Sequence, residues 1–267
     1  MNVRGKVIVV TGAGSGIGRA LTHKLLEKGA QVAAVDLNEA ALRETVELAG
    51  RRRDRVSIHV VNVSDRDAVD ALPGAVIEAH GAVDGLINNA GIIQPFVRLK
   101  DLPYEAIERV VNVNLYGVVY MTKAFLPHLL ERPVAHIVNV SSMGGFFPVP
   151  GQTLYGASKA GVKLLTEGLY AELIDTNVRV TVVFPGAIAT NITSNSGLAM
   201  PIGEDAAQNF PMTAPERAAE IIIRGMERDQ FQVYVGNDAK LMNFLYRLNP
   251  RSATRFMFNR MKALLPG

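Results

Sequence analysis

Seven short apolar runs, most of them rich in β-branched residues, recur along the chain: KVIVV at 6–10, QVAAV at 31–35, VSIHVV at 56–61, VDGLIN at 83–88, AHIVNV at 135–140, VRVTVV at 178–183 and QVYVG at 232–236. Most are apolar at successive rather than alternate positions. Strands of a parallel sheet read this way, because helices cover both faces. Amphipathic helical periodicity fills the intervals, at about 17–28, 38–49, 65–79, 104–130, 153–174 and 215–228. Such alternation predicts an α/β fold: a single doubly wound domain, its parallel sheet of about seven strands flanked by helices on both faces, with right-handed crossovers.

Two segments depart from the pattern. Residues 191–214 mix Gly, Ser, Asn, Pro and Met without periodicity, and so long a loop in a compact domain reads as a lid over a substrate site. Residues 238–267 read as two short amphipathic helices separated by NPRS, with Leu241, Phe244, Leu245, Leu248, Phe256, Met257 and Met261 on the apolar side. No Pro/Ser-rich linker and no repeat divides the chain. Residues 1–237 are therefore expected to form one domain, with 238–267 as its C-terminal helical extension.

Composition narrows the chemistry. Cysteine is absent from the 267 residues, which excludes a disulfide scaffold, a thiol nucleophile and any Cys-ligated metal site. His23, His59, His80, His128 and His136 show no metal-ligand spacing and read as surface or satisfied residues, so no metal is expected. No run reaches the ~18–20 apolar residues of a membrane span, and a soluble, cytoplasmic protein is expected. The net charge is only +3, yet residues 240–262 carry six bases and no acid. Packing on the pocket or on a neighbouring subunit explains that tail better than a membrane surface does, and nucleic acid is not expected as a partner. RRRDR at 51–55 reads as a solvated loop. The absence of GxSxG and GxxxxGK[ST] argues against an α/β-hydrolase and a P-loop NTPase.

The first run leads into TGAGSGIG at 11–18, whose glycines allow a tight turn and let backbone N–H groups approach a pyrophosphate at a helix N-terminus. Asp36 ends the second run. An acid there can hydrogen-bond the adenosine ribose hydroxyls and would repel a 2′-phosphate, and the next residue, Leu37, is not a base that would welcome one. NAD is therefore expected rather than NADP. The alternative for Asp36 is to cap the helix starting near Asn38.

YGASK at 155–159 puts a phenol and an ammonium one helical turn apart, Tyr155 and Lys159, with small residues between them. A free phenol titrates near 10, and lowering it by about 3 units means roughly 4 kcal/mol of preferential stabilisation of the phenolate. A neighbouring positive charge acts in that direction. Together TGAGSGIG, NNAG at 88–91, VNLYG at 113–117, VNVSS at 138–142, YGASK and PGAIAT at 185–190 resemble, in order, the motifs of the short-chain dehydrogenase/reductase family. The resemblance covers about residues 1–236.

The resemblance implies a Rossmann-like domain that moves a hydride between NAD(H) and an alcohol or ketone. Tyr155 would be the general acid/base. Lys159 would lower its pKa and hold the nicotinamide ribose, Ser142 would bond the substrate oxygen in preference to Ser141, and Asn114 would fix a water in a proton relay. The cofactor would be held by Gly12, Ser15, Gly16, Ile17 and Gly18, by Asp36 and Leu37, by Asn62 and Val63, by Asn89, Ala90 and Gly91 (with Asn88 lining the site or stabilising the sheet), by Tyr155 and Lys159, and by Pro185, Gly186, Ile188 and Thr190. Family members commonly pair through the helices at about 104–130 and 153–174, which implies a homo-oligomer, tetramer ahead of dimer.

Residues expected around the reacting centre are apolar: Ile93, Phe96, Met143, Phe146 and Phe147, with Met200, Phe210 and Met212 in the lid and Gln152 as one polar contact. A hydrophobic secondary alcohol or ketone, hydroxysteroid-like or lipid-like, suits them. The alternatives are a 3-oxoacyl-type reductase and a non-catalytic module that senses NAD(H).

Overall fold

In the computed structural model, which describes residues 1–190, 192–198 and 212–262, seven parallel strands form one sheet in the order β3-β2-β1-β4-β5-β6-β7. The strands are β1 Val7–Thr11, β2 Gln31–Asp36, β3 Val56–Val60, β4 Gly85–Asn88, β5 Ala135–Val140, β6 Val178–Pro185 and β7 Gln232–Val235. Helices α1 Gly16–Glu27, α2 Glu39–Leu48, α3 Arg66–His80, α4 Tyr104–Val111, α5 Gly117–Leu130 and α6 Thr153–Glu172 connect the first six strands. A four-residue helix α7 (Ile192–Asn195) follows β6, α8 spans Pro215–Glu227, and α9 (Asn237–Leu248) and α10 (Pro250–Met261) follow β7.

Burial explains why the apolar runs are continuous. Ile8 and Val10 of β1 enter one core, shared with Leu21, Leu25, Ile222 and Ile223 of α1 and α8. Val7 and Val9 enter the other, with Met121, Phe125 and Leu129 of α5 and Leu169 of α6. The strand order reverses between β1 and β4, so their carboxyl ends part and leave a crevice, the position where open α/β sheets bind ligands. At the opposite end of the sheet the buried Asp84 carboxylate accepts from Val7 N (3.0 Å) and pairs with Lys6 (3.2 Å) and Arg132 (3.0 Å).

The structure revises several local expectations. Residues Gly50–Arg55 form a 3₁₀ turn rather than a loop, and Arg55 donates to the Leu26 carbonyl at 3.0 Å. The long helix expected at 104–130 is interrupted by a π-helical turn, Asn112–Tyr116. His136 is neither a surface residue nor a satisfied one. It is fully buried on β5, its Nε2 lies 2.8 Å from Thr181 Oγ1, and its Nδ1 is unpartnered. His59 and His80 both approach the hydroxyl of Ser57, at 2.7 Å each.

The apolar residues of the tail divide into two sets. Met242, Leu245, Tyr246, Ala253 and Met257 pack on Met143, Phe146 and Phe147, whereas Leu241, Phe244 and Leu248 stay exposed. Among the described residues, no helix is long and apolar enough to cross a membrane, and no group of three or more acids and histidines is placed to hold a metal ion.

Candidate active site

The glycine turn begins where β1 ends. Gly16 takes a left-handed φ of 49° and opens α1. Gly18 lies so close to the Gly12 carbonyl that any Cβ would overlap it, so α1 can rest against the turn only with glycine there. Ser15, the N-cap residue, makes no side-chain cap bond to α1; its hydroxyl accepts from Asn195 Nδ2 at 2.7 Å. The first-turn N–H groups of α1 thus lack a side-chain cap and face the crevice, an arrangement suited to phosphate oxygens. Asp36 accepts from Gly14 N (2.9 Å) and Asn38 N (3.0 Å). The helix cap is Asn38, whose Oδ1 accepts from Ala41 N at 3.1 Å, so Asp36 is not needed for that task.

Thr11 ties the turn to the next motif. Its hydroxyl accepts from Asn89 N (2.9 Å) and Ala90 N (3.0 Å), and Asn89 Nδ2 donates to the Thr11 carbonyl at 3.0 Å. Asn88 is buried away from the crevice and donates to Asn139 Oδ1 (2.8 Å) and Thr122 Oγ1 (3.2 Å), bracing β4 against β5 and α5. The Asn62 side chain turns back to accept from Ser64 N and Oγ, at 3.0 and 2.8 Å, while Val63 packs on Gly117.

Ser142 follows β5, and Tyr155 and Lys159 lie on the first turns of α6. Ser142 Oγ accepts from Gly144 N at 3.0 Å, which leaves its proton for the Tyr155 oxygen. Ser141 instead donates to the Lys159 carbonyl at 2.7 Å and is buried. Burial pushes the Tyr155 hydroxyl up from its ordinary value, and the hydrogen bond from Ser142 opposes the shift. Lys159 Nζ donates to the Val140 carbonyl at 3.0 Å, and burial lowers this ammonium to about 8.

Asn114 sits in the π-helical turn, wholly buried. Its Oδ1 accepts from Ile92 N (2.9 Å), and its Nδ2 donates to the Ile92 carbonyl (2.9 Å) and Ser158 Oγ (3.1 Å). The extra residue of a π-turn reorients side chains, as such turns do at many functional sites. Gly91 lies directly against Lys159 Nζ and Asn114 Oδ1.

One cleft of about 670 Å³ joins these groups. Gly12, Ser15, Gly16 and Ile17 line it with Asp36, Leu37, Asn62 and Val63, then Asn89, Ala90, Gly91 and Ile93. Ser142, Tyr155, Lys159, Pro185, Gly186, Ile188 and Thr190 line the other end. Gly18 and Asn114 act from behind the wall.

The substrate residues are less well gathered. Phe147 and Gln152 do not face the cleft. Phe147 is fully buried against the Tyr246 ring (5.8 Å), because the tail helices give it an apolar wall. Gln152 is buried and donates to the Gln94 carbonyl at 2.8 Å. Phe96 and Met143 are partly buried outside the cleft lining, and Met143 packs toward the tail. Met212 is half exposed, while Met200 and Phe210 lie outside the described residues.

Sequence reasoning missed Thr11 as a tether, Gln94, Arg109 and Asp238. Arg109 reaches the Ser196 carbonyl at 2.9 Å. Asp238 accepts from Ala187 N at 2.7 Å, and its carboxylate occupies the space that a side chain at Gly186 or Gly236 would need. These contacts span dozens of residues, and no local sequence pattern marks them.

The short chain dehydrogenase family model matches residues 6–200. The chain belongs to that family. A relative in Mycobacterium tuberculosis, SadH, named as an oxidoreductase, is 39% identical over 262 residues, covering 95% of this chain and 94% of that one. The 3-oxoacyl-[acyl-carrier-protein] reductase FabG of Thermotoga maritima is 39% identical over 228 residues, covering 84% and 91%. Among solved structures, a short-chain dehydrogenase/reductase from Burkholderia phymatum in complex with NAD superposes with a TM-score of 0.83 at 28% identity, covering 93% of this chain and 96% of that one. A short chain dehydrogenase from Burkholderia cenocepacia in complex with NADP gives 0.81 at 27%, covering 96% and 99%. As a short-chain dehydrogenase, the protein is an oxidoreductase acting on CH–OH groups, and its cofactor is a nicotinamide dinucleotide.

Proposed function

We propose that this short-chain dehydrogenase uses NAD(H) to interconvert a hydrophobic secondary alcohol and its ketone, with Tyr155 as the general acid/base. The observation that carries the reading is the convergence of Ser142, Tyr155 and the buried Lys159 on the wall of one cleft that also takes in the glycine turn and Asp36. In this reading Ser142 holds the substrate oxygen within reach of the phenol, supported by its position with Tyr155 on the cleft wall, and Asn114 holds the Ile92 backbone. Bound in the cleft, a nicotinamide dinucleotide supplies the hydride acceptor or donor and, when oxidised, a positive charge that favours phenolate.

The preference for NAD rests on Asp36, held at the rim by Gly14 N, and on Arg19. That guanidinium is held through Nε and Nη2 on Thr45 Oγ1 (3.0 Å), the Gly14 carbonyl (2.6 Å) and Glu44 (2.5 Å), so Glu44 competes with a 2′-phosphate for it. A screen of NAD⁺ reduction over hydrophobic alcohols, hydroxysteroids included, tests the reading. Tyr155→Phe should abolish turnover and leave NADH binding intact, and Kd for NADPH should exceed that for NADH at least tenfold. Substantial turnover by Tyr155→Phe, or tighter binding of NADPH, would refute it.

Likeness to FabG of Thermotoga maritima favours a second reading, reduction of a 3-oxoacyl chain. A 3-oxoacyl thioester in the same screen decides between them. A homo-oligomer is proposed through the faces of α4, α5 and α6, where Tyr104, Leu130, Leu164 and Tyr170 stand exposed. Sedimentation measures its stoichiometry.

A further inference from the structure

The helix that carries the acid/base has no cap of its own. Its N-cap residue is Gln152, whose side chain makes no cap bond and points instead to the Gln94 carbonyl (2.8 Å). The N–H groups two and three residues on, those an N-cap side chain ordinarily takes, belong to Leu154 and Tyr155. Both are accepted by Gln94 Oε1, at 2.8 and 3.0 Å. Gln94 Nε2 donates to the Gly151 carbonyl at 3.0 Å. Gln94 is wholly buried and lies outside the cleft lining.

We infer that Gln94 is a positioning residue for the reaction: capping α6 from a distant segment, it fixes the height of Tyr155 against Ser142. The amide of Tyr155 itself is one of the two groups gripped, so any slip of this cap moves the phenol. Displacements of about 1 Å at a reacting group cost on the order of 100-fold in rate.

The neighbouring residues give the cap a second meaning. Ile92 is held by Asn114, and Ile93 N donates to Ser196 Oγ at 3.0 Å, just beyond α7. Three consecutive residues thus bind the π-helical turn, the segment after β6 and the catalytic helix. The placement of Tyr155 is thereby linked to both walls of the substrate end of the cleft.

The inference rests on Tyr155 as the acid/base, and the two fail separately. Retained turnover in Tyr155→Phe would break that assignment, whereas the Gln94 variants address only its placement. In Gln94→Met, kcat should fall 10- to 100-fold while Kd for NADH, read by fluorescence titration, stays within twofold. The Tyr155 hydroxyl, followed by NMR of ¹³C-labelled tyrosine and assigned with Tyr155→Phe, should titrate at higher pH as the bond from Ser142 loosens. Gln94→Glu keeps the acceptor for the Leu154 and Tyr155 amides, the grip on which the inference rests, and should restore kcat. If Gln94→Met does not fold, Gln94→Asn, which withdraws the same amide by one methylene, takes its place. Unchanged kcat and titration in the folded variant, a loss matched by equal weakening of NADH binding, or failure of Gln94→Glu to restore kcat would overturn the inference.

Discussion

Tyr155 is held between two opposed influences, and only one of them comes from a residue that can be removed without opening the core. Burial favours the neutral phenol, and the hydrogen bond from Ser142 favours the phenolate. In Ser142→Ala the opposing influence is gone, so the phenol should ionise at higher pH than in the parent. The acidic limb of the pH–kcat/KM profile for alcohol oxidation, which needs the phenolate as base, should therefore move toward higher pH, and kcat should fall ~10²–10⁴-fold. An unmoved limb would mean that it reports another group. The same pair marks the limit of reasoning from local spacing. A Tyr and a Lys one turn apart on α6 were legible in YGASK, but the direction of the phenol's shift depends on desolvation, a property of everything packed around it.

At the scale of elements, the strands and most helices were legible because their physics is local. Apolar runs such as KVIVV can be satisfied only between two covering layers, and amphipathic periodicity states which face is covered. The π-helical turn around Asn114 was not legible, since VVNVNLYG has the periodicity of an uninterrupted helix and the extra residue is imposed by Asn114 gripping both polar groups of Ile92. Nor were the roles of Gln94 and Gln152, whose partners lie about 60 residues apart in sequence. Long-range capping leaves no periodic trace. The junction of β1, the glycine turn and α1 carries a prediction of its own. Gly18→Ala sets a methyl group against the Gly12 carbonyl, so α1 must move off the turn. NADH binding, measured by fluorescence, should weaken at least tenfold, and Tm should drop by several degrees, in line with a strain cost of about 1–3 kcal/mol. Parent-like NADH affinity would show that the contact can relax.

At the scale of the whole molecule, buried histidines couple folding to acid. Burial lowers His136 to about 3, against about 6.5 in an unfolded chain. Between these values the unfolded chain binds more protons, so stability is full above about pH 6.5 and is lost as pH falls toward 3, by up to about 1.4 kcal/mol per unit. His59 and His80 are also lowered by burial and act with the same sign. Urea midpoints should therefore fall steadily between pH 7 and pH 5, and His136→Gln should flatten part of that slope. A slope untouched by the substitution would point to other groups. The two helix-covered faces of the sheet and the short-chain dehydrogenase motifs were readable in advance, whereas the strand order, and with it the crevice at its reversal, was not. The gathering of the substrate end was not, because Phe147 and Met143 turn toward tail helices whose docking no local pattern encodes.

That docking has a consequence for how the molecule could be re-engineered or could diverge. The Asp238 carboxylate is a plug, and the spaces left by Gly186 and Gly236 are its socket. Because the socket lies at the rim of the cleft, the last two helices behave as an exchangeable cassette with a keyed connector. A tail transplanted from another protein should seat correctly if it brings an acid at position 238 and leaves both glycines in place. A transplant lacking the acid would leave the Ala187 amide without its partner, and so would disturb the cleft wall at Ala187 with every lining residue unchanged in identity.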